Sequence, residues 1–504
     1  MSTDPPNRHG LPGGARAMST DPAPRRGQAA AAADSLVLVQ NAEVNGRPGR
    51  DVRVGPGEIL AVGSGLARRR GERVLDARGG AVIPGLHDHH LHLRAVVAAR
   101  QSLDLSGVAG PAAFDALVAT AAQEAGPGRW LRATGWSEHA GGQLDRYRLD
   151  ALAGPRPVRV QHRSGAMWVL NSAALQQVGA DDAELDGVER DDAGRPTGRL
   201  LRLDDWLRSR LPPGPGAGGL RADLAAYARE CARAGVTGFT DATPGISQAE
   251  VDELGQLSAA GIIPQRLMLM APAGLREPPA AAVTLGPQKL ILDDATLPDA
   301  AELAAVISQA HRSGSAVAVH CVTAEQLIVT VAALERAGPA GDRIEHASVV
   351  PPGYPAELAR LGLTVVTQPG FISDRGDDYR REVDAAEQPW LYPCATLIRA
   401  GVAVAGSTDA PFGPADPWRC IAAAVNRRTP GGHVLGRPER ISAGRALRLF
   451  LGAADDPGRP RTVAPGQPAD LCVLRAPLRQ VLARPAADAV RAAIIAGQVL
   501  EAGP

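Results

Sequence analysis

Eight short apolar segments recur along the middle of the chain, most of them separated by helical patterns. They are Ala81–Ile83 running on to Leu93, Val236–Thr240, Arg266–Met270, Lys289–Leu292, Ala316–His320, Arg343–His346, Thr364–Gln368 and Val402–Ser407. Between them, stretches such as Ala300–Arg312 place apolar Leu303, Val306 and Ile307 at helical spacing. Strand and helix in alternation predict a parallel sheet with helical crossovers, and eight such units predict an α/β fold, the (β/α)8 TIM barrel. The interval from about 97 to 230 is too long for one crossover. It carries strand-like Trp130–Thr134 and Val158–Gln161 and a Pro/Gly linker at Pro212–Gly219, so an inserted subdomain is expected there.

The two ends have a different texture. Leu36–Val39, Asp51–Val54 and Glu58–Val62 read as short strands between Gly, Pro and Asn turns. Asp470–Leu474, Ala493–Ile495 and Gln498–Leu500 repeat that texture at the far end. Both ends together predict a small composite β-sandwich from residues 34–84 and 456–504, enclosing the barrel at 85–455. Residues 1–33 are rich in Pro, Gly, Ala and Arg and read as a disordered tail. Met1-Ser-Thr-Asp-Pro is nearly duplicated at Met18, so Met18 is a candidate start.

Composition narrows the function classes. Cationic and acidic residues balance at 54 each, which removes a global basic footprint for nucleic acid and leaves a small molecule as the expected partner. No run reaches the roughly 18 apolar residues of a membrane span. Arg25-Arg26 is followed only by a short alanine run, a poor export signal, so the cytoplasm is the expected location. The five cysteines are scattered without a C-x-x-C pair, which argues against a disulfide scaffold or a cysteine zinc site. A homodimer is compatible with all of this.

Chemistry concentrates at the ends of the apolar segments. His87-Asp88-His89-His90-Leu91-His92 packs four histidines into six residues. In a strand, residues two apart share a face, so His90 and His92 point the same way at the C-terminal end of the first strand. That is the end where barrels build their sites. His320 and His346 each close an apolar strand, and Asp409 follows the last one. Singly, each has an ordinary reading: a hydrogen-bonded core histidine, or a helix N-cap before Pro411. Together they sit at one end of four strands that a barrel converges on its axis. His87 and His89 are expected to face outward or to sit behind the ligands.

Of the 54 cationic residues, 53 are arginine and one is lysine, Lys289 at the start of the fourth segment. A lysine snorkelling to solvent would tolerate replacement by arginine. A primary amine can instead lose its proton and react covalently. Addition to CO2 gives a carbamate whose two oxygens can bridge metal ions about 3.5–4 Å apart. A Schiff base is the competing chemistry, which the neighbouring histidines make unnecessary.

Pro84-Gly-Leu-His-Asp-His-His-Leu-His92 resembles the P-G-x-x-D-x-H-x-H opening of the metal-dependent amidohydrolase superfamily. The resemblance spans roughly residues 35–500. The chain is most similar to the amidohydrolase-3 branch with its YtcJ-like proteins, through Gly135-Trp-Ser-Glu138, Asn171-Ser-Ala-Ala-Leu175, Arg343-Ile-Glu-His-Ala347 and Gly406-Ser-Thr-Asp-Ala-Pro411. It implies two divalent ions, expected to be zinc. His90 and His92 would hold the more buried ion, with Asp409 beside it. Lys289, carboxylated, would bridge, and His320 and His346 would hold the second ion. The implied reaction is hydrolysis of an amide-type C–N bond by a hydroxide on the metals. Asp409 would move the proton, and His320 and His346 would divide metal binding and oxyanion stabilisation between them. Two motifs depart from the YtcJ-like pattern: Asp-Gly-His is replaced by Ser164-Gly165-Ala166, and Asp-Gly-Ser by Asp293-Asp294-Ala295.

Trp136, His139 and Arg163 in the inserted segment, and Gln368 after the seventh strand, are candidate substrate-binding residues, with Trp168 beside them. Packing tryptophans and a surface ion pair are the alternatives. Two other functions share the sequence: a mononuclear deaminase of an aminated heterocycle, which does not need Lys289, and a non-catalytic barrel scaffold, which would not need a complete ligand set.

Overall fold

The computed structural model describes residues 36–501 except 127 and 213–216. The expected tail at 1–33 lies outside the described residues, as does the middle of the Pro212–Gly219 linker. Both chain ends meet in one eight-stranded sheet, formed by Val37–Val44, Arg47–Val54, Ile59–Gly63, Arg73–Asp76, Ala81–Pro84, Leu471–Leu474, Val490–Ile495 and Gln498–Glu501. Its first hairpin turns at Asn45-Gly46, both at positive φ (50° and 75°), the backbone that a two-residue turn demands and that Asn and Gly tolerate. The seam between the ends is the antiparallel pairing of Leu471–Leu474 with Ala81–Pro84, with Cys472 opposite Ile83. Val39, Val52, Val473 and Ile494 are fully buried along this sheet.

Nine parallel strands follow, here β1 (Leu86–Leu91), β2 (Val236–Asp241), β3 (Arg266–Met270), β4 (Val283–Gly286), β5 (Gln288–Ile291), β6 (Val317–Cys321), β7 (Arg343–His346), β8 (Thr364–Thr367) and β9 (Ala403–Gly406). They form two sheets, ordered β4-β3-β2-β1 and β5-β6-β7-β8-β9. The fourth apolar segment, expected to run over Lys289–Leu292, therefore starts earlier and is broken. β4 pairs with β3 and β5 pairs with β6, and between them sits Pro287, which has no N–H to continue a ladder. At the other junction the ends of β9 and β1 are tied by two backbone bonds, Asp409 N–H to His90 C=O and His92 N–H to Ala410 C=O, each 2.9 Å.

Helices cover the outside of these strands. Ala300–Arg312 starts with a capping box in which Asp299 and Glu302 satisfy each other's backbone donors. It buries Leu303, Ala304, Ile307 and Ala310; Val306, counted above with the apolar stripe, lies off that stripe and is exposed. Between β1 and β2 lies a separate six-stranded sheet. Its order is Val188–Arg190, Pro196–Leu201, Met167–Leu170, Val158–His162, Leu131–Trp136 and Leu103–Asp104. Its own core holds Phe114, Trp136, Leu149 and Val160. Among the described residues no helix is long and apolar enough to cross a membrane, and the five cysteines are buried and unpaired.

Candidate metal centre

Strand ends bring the six expected ligands together. His90 is the penultimate residue of β1 and His92 is the residue from which helix Leu93–Arg100 departs. Lys289 is on β5, His320 on β6, His346 at the end of β7 and Asp409 just past β9. Donor atoms of His90, His92 and Asp409 lie within 4.8 Å of one another. Asp409 Oδ1 is 3.3 Å from His92 Nε2 and 3.7 Å from His90 Nε2; Asp409 Oδ2 is 3.9 Å from His346 Nδ1. Lys289 Nζ is 3.4 Å from His90 Nε2. The rings of His320 and His346 meet edge to face at 4.4 Å. His346 and Asp409 adopt left-handed backbone (φ +68° and +54°), costly for residues with a Cβ and found where a site constrains the chain.

Burial sets the protonation states. It pushes His90 and His320 well below the usual imidazole range and His346 down to about 4, so all three present lone pairs at neutral pH. Burial also lowers Lys289, to about 8, against the opposing pull of Glu345 and Asp409. Burial alone would raise Asp409. His92 Nε2 at 3.3 Å, with the neighbouring His90 and His346, outweighs it and holds the carboxyl well below its ordinary value. Asp409 Oδ1 is buried and receives no hydrogen bond. An ionised oxygen buried without a donor is costly unless something positive completes it. Neutral imidazoles around an ionised carboxylate are the donor set that a divalent zinc-like cation takes, so the residues present fit a metal.

A second set of residues orients the first. Glu345, fully buried, takes a short hydrogen bond from His90 Nδ1, which leaves His90 Nε2 to face Asp409. Arg343 holds Glu345 in turn, at 2.8 Å to one oxygen and 3.3 Å to the other. Carboxylate–histidine pairs of this kind fix the ring and raise its basicity as a ligand. His346 Nδ1 is 2.8 Å from Gln368 Oε1, and Gln368 Nε2 donates to Ser407 Oγ at 2.8 Å. Asp88 accepts from the Thr408 amide at 3.0 Å and from its hydroxyl, which pins the Asp409 loop to β1. Burial drives Asp88 up to about 7 despite these bonds. Glu345→Gln is expected to weaken metal binding about 10- to 100-fold with the fold intact, read by competition with a metal indicator dye.

Sequence reasoning did not pick out Glu345, Arg343 or Asp88. A signal was present: Arg343 and Glu345 share one face of a four-residue strand, and charges inside a barrel are kept only when paired. His87 and His89 are buried, not outward. His87 Nε2 meets Thr240 Oγ1 at 2.9 Å, and His89 has no hydrogen-bond partner on either nitrogen.

Among the four candidate substrate residues, Gln368 is the one in contact with this cluster. Trp136 is buried in the inserted sheet's core, its indole N–H donating to Gly142 C=O at 3.2 Å. His139 pairs with Glu382 at 2.7 Å, and Arg163 pairs with Asp378 and with Glu382 at 3.6 Å. Both thus join the inserted segment to the helix Gly370–Glu382, here α1. The Trp168 indole N–H donates to Asp204.

Comparison with known proteins finds relatives along most of the chain. The family model described as "Amidohydrolase family" matches residues 73–500. The chain is 26% identical to an N-substituted formamide deformylase of Arthrobacter pascens, covering 84% of this chain and 89% of the relative. It is 24% identical to the putative amidohydrolase YtcJ of Bacillus subtilis, over 75% and 79%. Its fold is like that of an uncharacterized metal-dependent hydrolase from Pyrococcus furiosus, with a TM-score of 0.66, 22% identity, and 86% and 97% coverage.

Proposed function

The chain belongs to the amidohydrolase family, and on that premise we propose that it hydrolyses the C–N bond of a small amide, with N-substituted formamides the first class to test. The coarser statement, a hydrolase acting on C–N bonds other than peptide bonds, follows from the family and from the formamide deformylase relative. The observation that carries the reading is the buried, donor-less Asp409 Oδ1 set among His90 and His92. We read the two parallel sheets as one (β/α)8 barrel, β4 and β5 counting as a single strand, over about 85–455 with the insertion at about 97–230. The two-ended sheet is its β-sandwich companion, at 34–84 and 456–504.

His90, His92 and Asp409 would hold one divalent ion, His320 and His346 a second, and carboxylated Lys289 would join them. Two such ions, zinc in this reading, supply an acidified water and a Lewis acid for the carbonyl. The chain's own groups do the rest. Lys289, lowered to about 8, is partly the free amine at neutral pH. Its nitrogen lone pair adds to the carbon of CO2 and its proton leaves to solvent, giving the carbamate. Asp409, ionised, accepts the proton of the attacking water and passes it to the departing nitrogen. Gln368 keeps the His346 ring oriented through its carbonyl. The inserted segment is joined to α1 by the His139–Glu382 and Arg163–Asp378 pairs.

Metal-quantified protein is to be assayed on N-substituted formamides, N-acyl amino acids, cyclic imides and aminated heterocycles. The expected outcome is release of amine and acid with about two ions per chain, abolished by a chelator and restored by the metal. Ammonia release from ring substrates by a one-ion protein would instead establish the deaminase.

A further inference from the structure

We infer that Arg202 is the carboxylate-binding residue of the substrate pocket, so that the preferred amide carries a negative charge on its amine portion. This rests on the amide-hydrolase reading and adds the substrate class. Arg202 directly follows the inserted strand Pro196–Leu201. Its backbone is left-handed (φ +53°), and its N–H donates to Ala166 C=O at 2.9 Å, which ties it to the Ser164–Ala166 turn. Its side chain reaches the loop that follows β5, the strand carrying Lys289: Nε lies 3.0 Å from Asp293 Oδ2, and the adjacent Asp294 accepts from Thr323 Oγ1 at 3.0 Å, just past β6, which carries His320.

Neighbouring guanidiniums are already committed. Arg163 is held by Asp378 and Glu382, and Arg375 by the carbonyls of Arg163 and Phe412. Arg202 has Asp293 as its one ion-pair partner among the described residues, and the pair is 41% and 32% exposed. An ion pair that open adds little to stability, whereas a left-handed arginine costs some. Stability therefore does not account for the arrangement. A planar fork that can exchange Asp293 for a substrate carboxylate does.

The other side of the site is apolar. His92 and His320 are the two candidate ligands that are only partly buried. Phe412 packs edge-on against His92, with ring centres 5.5 Å apart. Gly165 approaches the same phenyl ring so closely that a Cβ there would fall 2.6 Å from it. A substrate reaching the metals thus meets a phenyl ring beside His92 and, at the loops past β5 and β6, the Arg202 guanidinium. An N-acyl amino acid with an apolar side chain matches both.

Two ligands that differ only in the charge decide the matter: N-formylphenylalanine and N-(2-phenylethyl)formamide. Each is titrated calorimetrically into metal-loaded wild type, Arg202→Ala, Arg202→Lys and Asp293→Asn, with melting curves confirming that each is folded. Wild type is expected to bind the carboxylate better. Arg202→Ala should lose about 10- to 100-fold on the carboxylate, and at least tenfold less on the neutral ligand. Arg202→Lys should keep part of the preference, and Asp293→Asn should tighten carboxylate binding by removing the competing anion. Equal losses on both ligands, a wild-type preference for the neutral one, or weaker carboxylate binding in Asp293→Asn would overturn the proposal. If Arg202→Ala does not fold, the other two variants decide. Turnover in the same samples keeps the two readings apart. Selective binding of the carboxylate with no hydrolysis of either compound refutes the amide-hydrolase reading alone, and hydrolysis without carboxylate preference refutes this one alone.

Discussion

Lys289→Ala is expected to lower kcat/KM by about three orders of magnitude, with short carboxylic acids restoring part of the loss. The argument begins with burial. Lys289 is 7% exposed, with Nζ 3.4 Å from His90 Nε2. Among the described residues a permanent ammonium there would have that imidazole as its one hydrogen-bond partner, and burial already pulls its pKa down to about 8. A carbamate would turn an unwelcome cation into an anion among candidate ligand groups. Alanine removes that anion, and a Lewis-acid centre supplies several kcal/mol at a rate of about 1.4 kcal/mol per tenfold. Formate or acetate can enter the space left and offer two oxygens in the carbamate's place. The measurement is kcat/KM and metal content, with and without added acid. Full activity in the unsupplemented variant would sink the bridging role, and loss without any rescue would leave only a packing role for the side chain.

Asp409→Asn is expected to cost about 10²- to 10⁴-fold in kcat, the range for loss of a positioned proton acceptor. Asparagine keeps the shape, the Asp409 N–H bond to His90 C=O and the loop pinned by Asp88 and Thr408. Folding should therefore survive, and an unchanged melting curve without metal would confirm it. What is lost is the ionised oxygen, held far below the ordinary carboxylate value by His92, His90 and His346 against its burial. Because that group is held well below the ordinary carboxylate range, the acid limb of the wild-type pH–rate profile should belong to another group. Residual activity above about a tenth of wild type would remove Asp409 from the proton path.

Much of the fold was legible because strand burial writes itself into sequence. Arg266–Met270 and Arg343–His346 are found with the expected bounds, and four other expected parallel strands shift by one residue; the first and fourth differ, Ala81–Pro84 joining the two-ended sheet and leaving Leu86–Leu91 to the parallel one. A strand inside a barrel is apolar along its length, and that signal survives without knowledge of its partners. The fourth strand was misjudged because Gly286-Pro287 looks like an ending. Only the pairing on both sides reveals that the chain continues past it as two short strands in different sheets. The candidate ligands were readable because the histidines and Asp409 sit at the ends of apolar runs and Lys289 is the one lysine of the chain. The groups that orient them were not, since Glu345 and Asp88 become informative only when His90 and Thr408 are seen against them.

His139 and Arg163 show the limit on the substrate side. A histidine and an arginine at strand ends look alike whether they face a pocket or a neighbouring helix. The structure sets them against Glu382 and Asp378, and brings forward Arg202, which no local pattern marked. The sequence by itself determined the alternation of strand and helix, the composition of the ligand set and the single amine among 53 guanidiniums. These are properties of short stretches and of counting. Tertiary structure alone decided which nitrogen of His90 faces Asp409, which carboxylate oxygen is left without a donor and which carboxylate each guanidinium meets. The reason is physical: hydrogen-bond satisfaction and desolvation depend on neighbours tens to hundreds of residues away in the chain, and no local pattern records them.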